Sequence, residues 1–263
     1  MRRTIMVSPG RQAGSKRSQR GYTLIELSVA ILIGLFLLGG LMAIVQSNRR
    51  TFTGQSQSAQ LLDSERLAMS IMADVIQESG YFPDPVNNTS SALFAAGTSY
   101  TWNYATAGQT VIGSYAAAAP GDRIVVRYAT ATGDGIPNCS GGSNTSGATQ
   151  IYVSVFWVKL AVGPGTSDQL ICTVNGVDYP LVTGVHSLTV LYGVKTDFTV
   201  DDYTVDTYMN ASQMAAANWP NVMSVKLTVF FDNPFYVAGV AGQPQYIPFT
   251  RIIGINNRGG VKI

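Results

Sequence analysis

The sequence predicts an α+β protein in which one long N-terminal helix packs on a mostly antiparallel β-sheet. Residues 27–45 form an apolar run without a charge, and an amphipathic pattern then continues to about residue 79. Short strand-like runs, separated by turn-rich stretches, follow toward the C-terminus. The change from a helical period to strand-like runs indicates the order of the two kinds of element.

The segment before the apolar run is polar and basic. Six of the 17 basic residues lie before Gly21, and no acidic residue lies among them. The rest of the chain therefore has more acidic than basic residues, although the net charge of the whole is +2. Sequence-independent binding to nucleic acid needs a basic surface, so we predict no nucleic-acid partner.

The apolar run has the length of a membrane span. Its 19 residues reach about 28 Å as a helix, close to a hydrocarbon core of roughly 30 Å. A secretory signal would have a shorter apolar region followed by a small-residue cleavage site, which is missing here. Glu26 lies next to the run, where an isolated carboxylate is costly.

After Arg50 the helix becomes amphipathic. Leu62, Met69, Met72 and Ile76 recur at helical spacing, which predicts a stripe that packs in the core. Gly80, with Pro83 just beyond it, predicts the end of the helix. The predicted helix covers about residues 23–79.

The remainder contains six strand-like runs. They are Asp122–Ala129, Gln150–Ala161, Gln169–Val174, Ser187–Val194, Asn221–Phe231 and Tyr246–Ile255. Residues 86–120 are poorly patterned, and Thr130–Ala148 is a Gly/Ser/Asn loop. We interpret residues 81–263 as one globular β-rich domain.

Two cysteines, Cys139 and Cys172, are present. An even pair behind an export-type N-terminus predicts one disulfide, and two unpaired thiols are the alternative.

Few residues suggest chemistry. The single histidine, His186, argues against His-rich metal sites and a Ser/His/Asp triad, and we expect it at the surface or packed. The one acidic cluster consists of Asp197, Asp201, Asp202 and Asp206. It lacks the order of a calcium loop, so we interpret it as a solvated loop, with a calcium site as the alternative. We predict no cofactor and no catalytic residue.

The stretch Arg20–Leu27, "RGYTLIEL", resembles the class III signal of type IV pilins and type II secretion pseudopilins. The resemblance implies that a prepilin peptidase removes residues 1–21 by cutting between Gly21 and Tyr22. The same enzyme would methylate Tyr22, which replaces the commoner Phe. It also implies that Glu26 pairs with the N-terminal amine of a neighbouring subunit; the alternative is that Glu26 snorkels to the lipid headgroups.

The C-terminal half resembles the PilW-type minor pilins of Gram-negative type IV pili. The shared block begins "LVTGVHSLTVLYGVKTD" at Leu181 and includes Trp219, Val222 and Val225. At the end of the helix, Asp74, Gly80 and Tyr81 match as well. Lys195 departs from that pattern, where an Asp is common.

These resemblances imply a fold and a function. The fold would be type IV pilin-like, with residues 22–48 as the membrane or filament-core half of the helix and residues 49–80 as its amphipathic half. The expected function is a non-enzymatic minor pilin that helps initiate or cap pilus assembly. The alternatives are a type II secretion minor pseudopilin and a pilus-tip adhesin or other binding subunit.

Partners and location follow from the same resemblance. The expected partners are prepilin peptidase, other minor pilins and the major pilin. The chain would first cross the inner membrane once, with its globular domain in the periplasm, and would then enter the pilus fibre or its tip at the cell surface.

The first prediction concerns processing. Mass spectrometry of the native N-terminus should find methylated Tyr22, because the basic leader and the G-Y-T-L-I-E order form the peptidase signal. A bulky residue in place of Gly21 should leave the precursor uncut in the membrane. An N-terminus at Met1, or a cut beyond residue 45, would contradict the prediction.

Overall fold

The structure, a computed structural model, describes residues 21–199, 202 and 204–258. The predicted leader therefore lies outside the described residues, except for Gly21. The chain divides into two units between Thr53 and Gly54.

The first helix, α1 (Leu24–Gln77), has almost the bounds that the sequence predicts. In the first unit it stays α-helical through Gly34, Gly39 and Gly40. In the second unit its last turns are buried, because small and flexible apolar residues recur on one face. These buried residues are Ala68, Met69, Met72, Ala73, Val75 and Ile76.

The second unit contains eleven strands among the described residues. They are β1 (Gly97–Ser99), β2 (Trp102–Tyr104), β3 (Val111–Ser114), β4 (Arg123–Thr130), β5 (Gln150–Lys159), β6 (Gln169–Val174), β7 (Val177–Thr183), β8 (Val185–Val194), β9 (Thr207–Met209), β10 (Val222–Asp232) and β11 (Tyr246–Gly254). A short helix, α2 (Ser90–Leu93), precedes β1, and two 3₁₀ helices cover Ala216–Asn221 and Asn256–Arg258.

The strands form three sheets rather than the single sheet that the sequence suggested. The orders are β3-β4-β5-β6-β7, β11-β10-β8-β9 and β1-β2. The antiparallel prediction is confirmed, since every strand pair within the described residues is antiparallel. The apolar pattern of a strand indicates which of its faces is buried, but it does not say which strands lie beside it, so the pattern alone does not give the number of sheets.

A buried carboxylate joins the two larger sheets. Asp122, 2% exposed, accepts hydrogen bonds from the backbone N–H of Ala116 (2.9 Å) and of Val190 (2.8 Å). A parallel bridge between Gly121 and Leu188 lies next to it. Burial raises the pKa of Asp122, although both hydrogen bonds oppose the shift. The start of β8 is thereby held to the segment before β4.

Alternation along β5 separates two apolar clusters. Tyr152, Phe156 and Val158 belong to the main core with α1. Val153 and Val155 point the other way and form a smaller cluster, against which Trp102 of β2 packs. A strand with apolar residues on both faces needs cover on both sides, and the β1-β2 hairpin supplies part of it.

Arg127 is a buried cation that fixes the poorly patterned segment before β4. It is 4% exposed, and its guanidinium carbon lies 3.7 Å from the ring centroid of Tyr104 and 5.4 Å from that of Phe94. Its N–H groups donate to three carbonyl oxygens, those of Gln109 (2.7 Å), Phe94 (3.1 Å) and Ala95 (3.0 Å). No carboxylate is needed, because aromatic faces and carbonyl dipoles stabilise the charge.

The second prediction concerns this cation. Arg127→Met should lower the free energy of unfolding of the second unit by about 3 kcal/mol or more, because each buried acceptor left without a donor costs about 1–3 kcal/mol. Urea unfolding of the full chain in detergent micelles, followed by near-ultraviolet circular dichroism, measures it. Arg123→Met is the control, because Arg123 is exposed on the same strand. Equal losses in the two variants would contradict the prediction.

The third prediction is a pH dependence at the end of α1. Burial, followed by repulsion from Asp74 and Asp134, raises the pKa of Glu78 from 4.5 to about 7. The folded chain therefore holds this proton more tightly than the unfolded chain. The resulting stabilisation is complete below about pH 4.5 and is lost as the pH rises through about 7.

Glu78→Gln removes the ionisable group and should raise the thermal midpoint at pH 8 by about 1–3 °C. At pH 4.5 the variant and the wild type should unfold at nearly the same temperature. Asp63→Asn, at an exposed position of the same helix, should show no such difference. Equal midpoints at pH 8 for Glu78→Gln and the wild type would contradict the assignment.

Candidate functional site

The N-terminal end of α1 is closed by a reciprocal pair of hydrogen bonds. The Glu26 Oε2 atom accepts from the backbone N–H of Thr23 (3.1 Å) and from its hydroxyl (3.2 Å). The backbone N–H of Glu26 donates in return to Thr23 Oγ1 (3.3 Å). This is a capping box, in which the side chains at two positions three residues apart satisfy each other's free N–H groups.

Sequence reasoning missed the part played by Thr23. The order T-x-x-E before an apolar run is the ordinary signature of a capping box and could have been found. The carboxylate also lies near the positive end of the helix dipole, where a negative charge is stabilised. Glu26 therefore has a local structural role in addition to the predicted role between subunits.

The predicted cleavage position lies just outside this cap. Gly21 and Tyr22 precede the helix, and the Tyr22 side chain is 90% exposed. The Gly21–Tyr22 bond, where cleavage is predicted, lies outside regular secondary structure.

The apolar run offers a large surface within the first unit. The side chains of Leu32 and Phe36 are 70% and 80% exposed, and the neighbouring apolar residues are exposed as well. The helix contains a window that is long and apolar enough to cross a membrane by length and composition. Such a surface needs lipid or other apolar helices around it.

The predicted disulfide is confirmed. Cys139 and Cys172 are bonded, with their Cα atoms 6.4 Å apart. Cys172 belongs to the core strand β6 and is fully buried, whereas Cys139 belongs to the Gly/Ser/Asn loop. The bond ties that loop to the core.

A buried asparagine holds the same loop from within. Asn144, fully buried, donates to the carbonyl oxygens of Thr130 and Ala148, both at 2.8 Å. Its own Oδ1 accepts from the backbone N–H of Ser146 (2.9 Å). Composition alone did not single out this residue among the many Asn and Ser of the loop.

The described carboxylates of the acidic cluster bind nearby backbone N–H groups and a lysine. Asp206 accepts from the backbone N–H of Thr196 (2.6 Å) and of Asp197 (2.7 Å). These bonds lower the pKa of Asp206. The Lys195 ammonium pairs with Asp202, and this pairing lowers the pKa of Asp202. Asp201, the fourth residue of the cluster, lies outside the described residues.

This arrangement does not assemble a calcium site from the residues that the structure describes. Within them, no group of three or more His, Cys, Asp or Glu side chains is placed to hold a metal ion. The departure noted at position 195 has a physical consequence, because Lys195 supplies a cation where the resembling family often has another acid.

His186 is packed between an aromatic ring and a carboxylate. Its ring stacks on Tyr246 with centroids 3.9 Å apart, and its Nδ1 lies 3.0 Å from Asp168 Oδ2. These contacts fasten the start of β8 to β11 and to the loop before β6.

Comparison with known proteins gives two family matches. Residues 157–258 match the family described as type IV pilus-assembly protein W, and residues 16–42 match the prokaryotic N-terminal methylation motif. No curated protein matches the chain. Among solved structures, a type IV-like pilin from Thermus thermophilus is similar at 14% identity, with a TM-score of 0.43, over 76% of this chain and 98% of that one.

The two matches cover the two regions that the sequence singled out. The methylation motif includes Gly21, Tyr22 and the capping box, and it implies processing by a prepilin peptidase. The other match begins at Trp157 in β5 and extends past β11. The second family is named for pilus assembly, which points to a structural protein rather than an enzyme. The chain therefore combines an N-terminal methylation motif over residues 16–42 with a C-terminal region, residues 157–258, that is similar to type IV pilus-assembly protein W.

Proposed function

We propose that this chain is a minor pilin that helps initiate or cap the assembly of a type IV pilus. The observation that carries the proposal is the presence, in one chain, of the methylation motif over residues 16–42 and the pilus-assembly region over residues 157–258. The first supplies a route into a helical assembly, and the second belongs to a family named for pilus assembly.

Before assembly, the chain would be anchored in the inner membrane by residues 22–48 after removal of residues 1–21. The exposed apolar side chains of residues 27–45, a run without a charge, support the anchor, since none of the described residues of the same unit covers them. Residues 49–80 and 81–263 would then lie in the periplasm. The Cys139–Cys172 bond supports that placement, because disulfides persist in oxidising compartments.

During assembly, the Glu26 carboxylate would pair with the N-terminal ammonium of a neighbouring subunit. Mature Tyr22 supplies such an ammonium in every processed copy, and other minor pilins and the major pilin would supply it likewise. A carboxylate among apolar helices is tolerated when an opposite charge meets it. The expected partners are therefore other pilin subunits, with prepilin peptidase acting earlier.

Two other roles start from the same signal. A type II secretion pseudopilin would carry the same N-terminus, but the match over residues 157–258 favours the pilus. A pilus-tip adhesin would need a ligand site on the second unit. The neighbouring genes distinguish a minor pilin from a type II secretion pseudopilin. Minor pilin genes would adjoin the gene of the former, and secretion genes that of the latter.

The fourth prediction tests the role of Glu26. In a strain that lacks the gene, Glu26→Gln should be processed and inserted normally but should restore few surface pili. Gln at this position can still close the capping box, so the variant removes the charge and keeps the helix end. The measurements are the N-terminal mass, the membrane fraction and the number of pili by electron microscopy.

Thr23→Val is the matched control, because it keeps the carboxylate and removes the hydroxyl that caps the helix. The loss of a cap costs about 1 kcal/mol, so this variant should assemble far better than Glu26→Gln. If the deletion strain has no surface pili and Glu26→Gln restores them to the wild-type number, then the carboxylate only reaches the lipid headgroups and does not pair with a neighbouring subunit. A fully piliated deletion strain would overturn the proposed function itself.

A further inference from the structure

A cavity of about 280 Å³ lies between the β1-β2 hairpin and the face of the five-stranded sheet that points away from the main core. Its wall includes three aromatic side chains, Tyr100, Trp102 and Trp157. Its polar lining includes Arg123, Thr173 and Asp178. None of these residues takes part in the N-terminal site, and the cavity lies wholly within the second unit. Its volume suits a small ligand or one unit of a larger one.

Two tight turns border the cavity, and one of them has an unusual sequence. Asn175 and Gly176 connect β6 to β7 with φ values of 48° and 87°. Asn-Gly is the pair that two-residue hairpin turns with positive φ prefer. Tyr100 and Thr101 connect β1 to β2 with φ values of 47° and 73°.

The Tyr-Thr pair is poorly suited to its backbone. A β-branched residue at positive φ is an outlier, and such strain persists where the surrounding structure enforces it. In return, the turn places an aromatic ring at the cavity where Asn or Gly would place none. The Tyr100 ring remains 50% exposed there.

Hydrogen bonds fix the aromatic wall on the sheet side. Trp157 Nε1 donates to Thr173 Oγ1 (2.9 Å), and the Thr173 hydroxyl donates in turn to Asp178 Oδ1 (2.6 Å). The guanidinium carbon of Arg123 lies 4.8 Å from the ring centroid of Trp157. The indole is thus held in one orientation before any ligand arrives, which lowers the entropic cost of binding.

The cavity also offers one free donor group and one free acceptor. Within the described residues, the Arg123 guanidinium makes no hydrogen bond or ion pair, and Asp178 Oδ2 accepts no hydrogen bond. Because Arg123 is positive and Asp178 is negative, a ligand with a net charge would be repelled by one of the two residues. Hydroxyl groups both donate and accept, so a neutral polyol can satisfy both residues.

We propose that this cavity binds a neutral sugar unit, a hexose or an N-acetylhexosamine, of a glycan. One face of a pyranose ring presents C–H groups, which pack on the electron-rich face of an aromatic ring. Its hydroxyls bind Asp178 and Arg123 at the edge. The site extends the function of the chain beyond assembly and does not depend on the role of Glu26.

The fifth prediction tests the site with defined sugars. The full chain is held in lauryldimethylamine oxide micelles, because a maltoside detergent would itself offer a sugar. Methyl glycosides of glucose, galactose, mannose and N-acetylglucosamine are titrated. Glucuronic acid and indole are titrated in the same way, as an anionic and an aromatic alternative ligand. Saturation-transfer NMR and tryptophan fluorescence report binding. At least one neutral glycoside should bind with a dissociation constant on the order of 1 mM, as expected for about a dozen non-hydrogen atoms.

Two variants distinguish binding from folding. Asp178→Asn keeps the shape and the acceptor for Thr173 but removes the charge, and it should weaken binding at least tenfold. Replacement of Tyr100 by Asn together with Thr101 by Gly gives the turn its preferred residues. This double variant should raise the thermal midpoint by about 2–4 °C and abolish binding, so the loss is not the result of unfolding. Asp63→Asn on α1 should bind as the wild type does.

The possible outcomes separate this inference from the assembly role. Binding only of glucuronic acid or indole, or of no neutral glycoside in the panel, would overturn it. Full binding by the stabilised double variant would also overturn it. None of these results depends on the number of pili, so the site and the proposed function stand or fall independently.

Discussion

The Arg127 guanidinium, buried between two aromatic rings and three carbonyl groups, is the interaction on which the irregular part of the second unit depends. The segment from Phe94 to Gln109 contains only two strands of three residues each, β1 and β2. It is placed because one cation in β4 satisfies carbonyl groups that would otherwise be buried without donors. The β1-β2 hairpin and the aromatic wall of the cavity follow from that placement.

A second buried polar residue acts between the larger sheets. Asp122 holds the segment before β4 to the start of β8, where the sheet order leaves that half of the strand without another neighbour. Together, Asp122 and Arg127 determine how the apolar layers are covered. Burial of apolar surface supplies most of the driving force, and these two polar groups select one arrangement.

Sequence patterns predicted the elements that depend on local periodicity. The helix and the six long strands were found within a few residues of their observed ends, and the α+β class is confirmed. β7 was missed because it is an edge strand with five exposed residues, Pro180 among them, and so resembles a turn region. β1, β2, β3 and β9 have three or four residues each, too few for a period to show.

The division into three sheets and the role of Arg127 were beyond the reach of the sequence for a different reason. Alternation along β4 assigns Arg127 to a face, but it does not say that another segment covers that face. At the N-terminus, the short motif predicted the special status of Glu26, and the cysteine pair predicted its bond. The acidic cluster showed its local pairing only when Lys195 and the backbone N–H groups were placed around it.

The capping box at Thr23 and Glu26 changes what docking between subunits would involve. In a monomer the carboxylate is not bare, because an N–H and a hydroxyl already share its charge. In the proposed assembly, the ammonium of a neighbouring subunit would replace the N–H and hydroxyl of Thr23 as the donor to Glu26. The carboxylate would therefore not start from an unpaired state in lipid. Such an exchange has a smaller net free energy than pairing from an unsolvated state. Each contact along a fibre would then be individually reversible, and the strength of the fibre would come from the number of helices that it holds together.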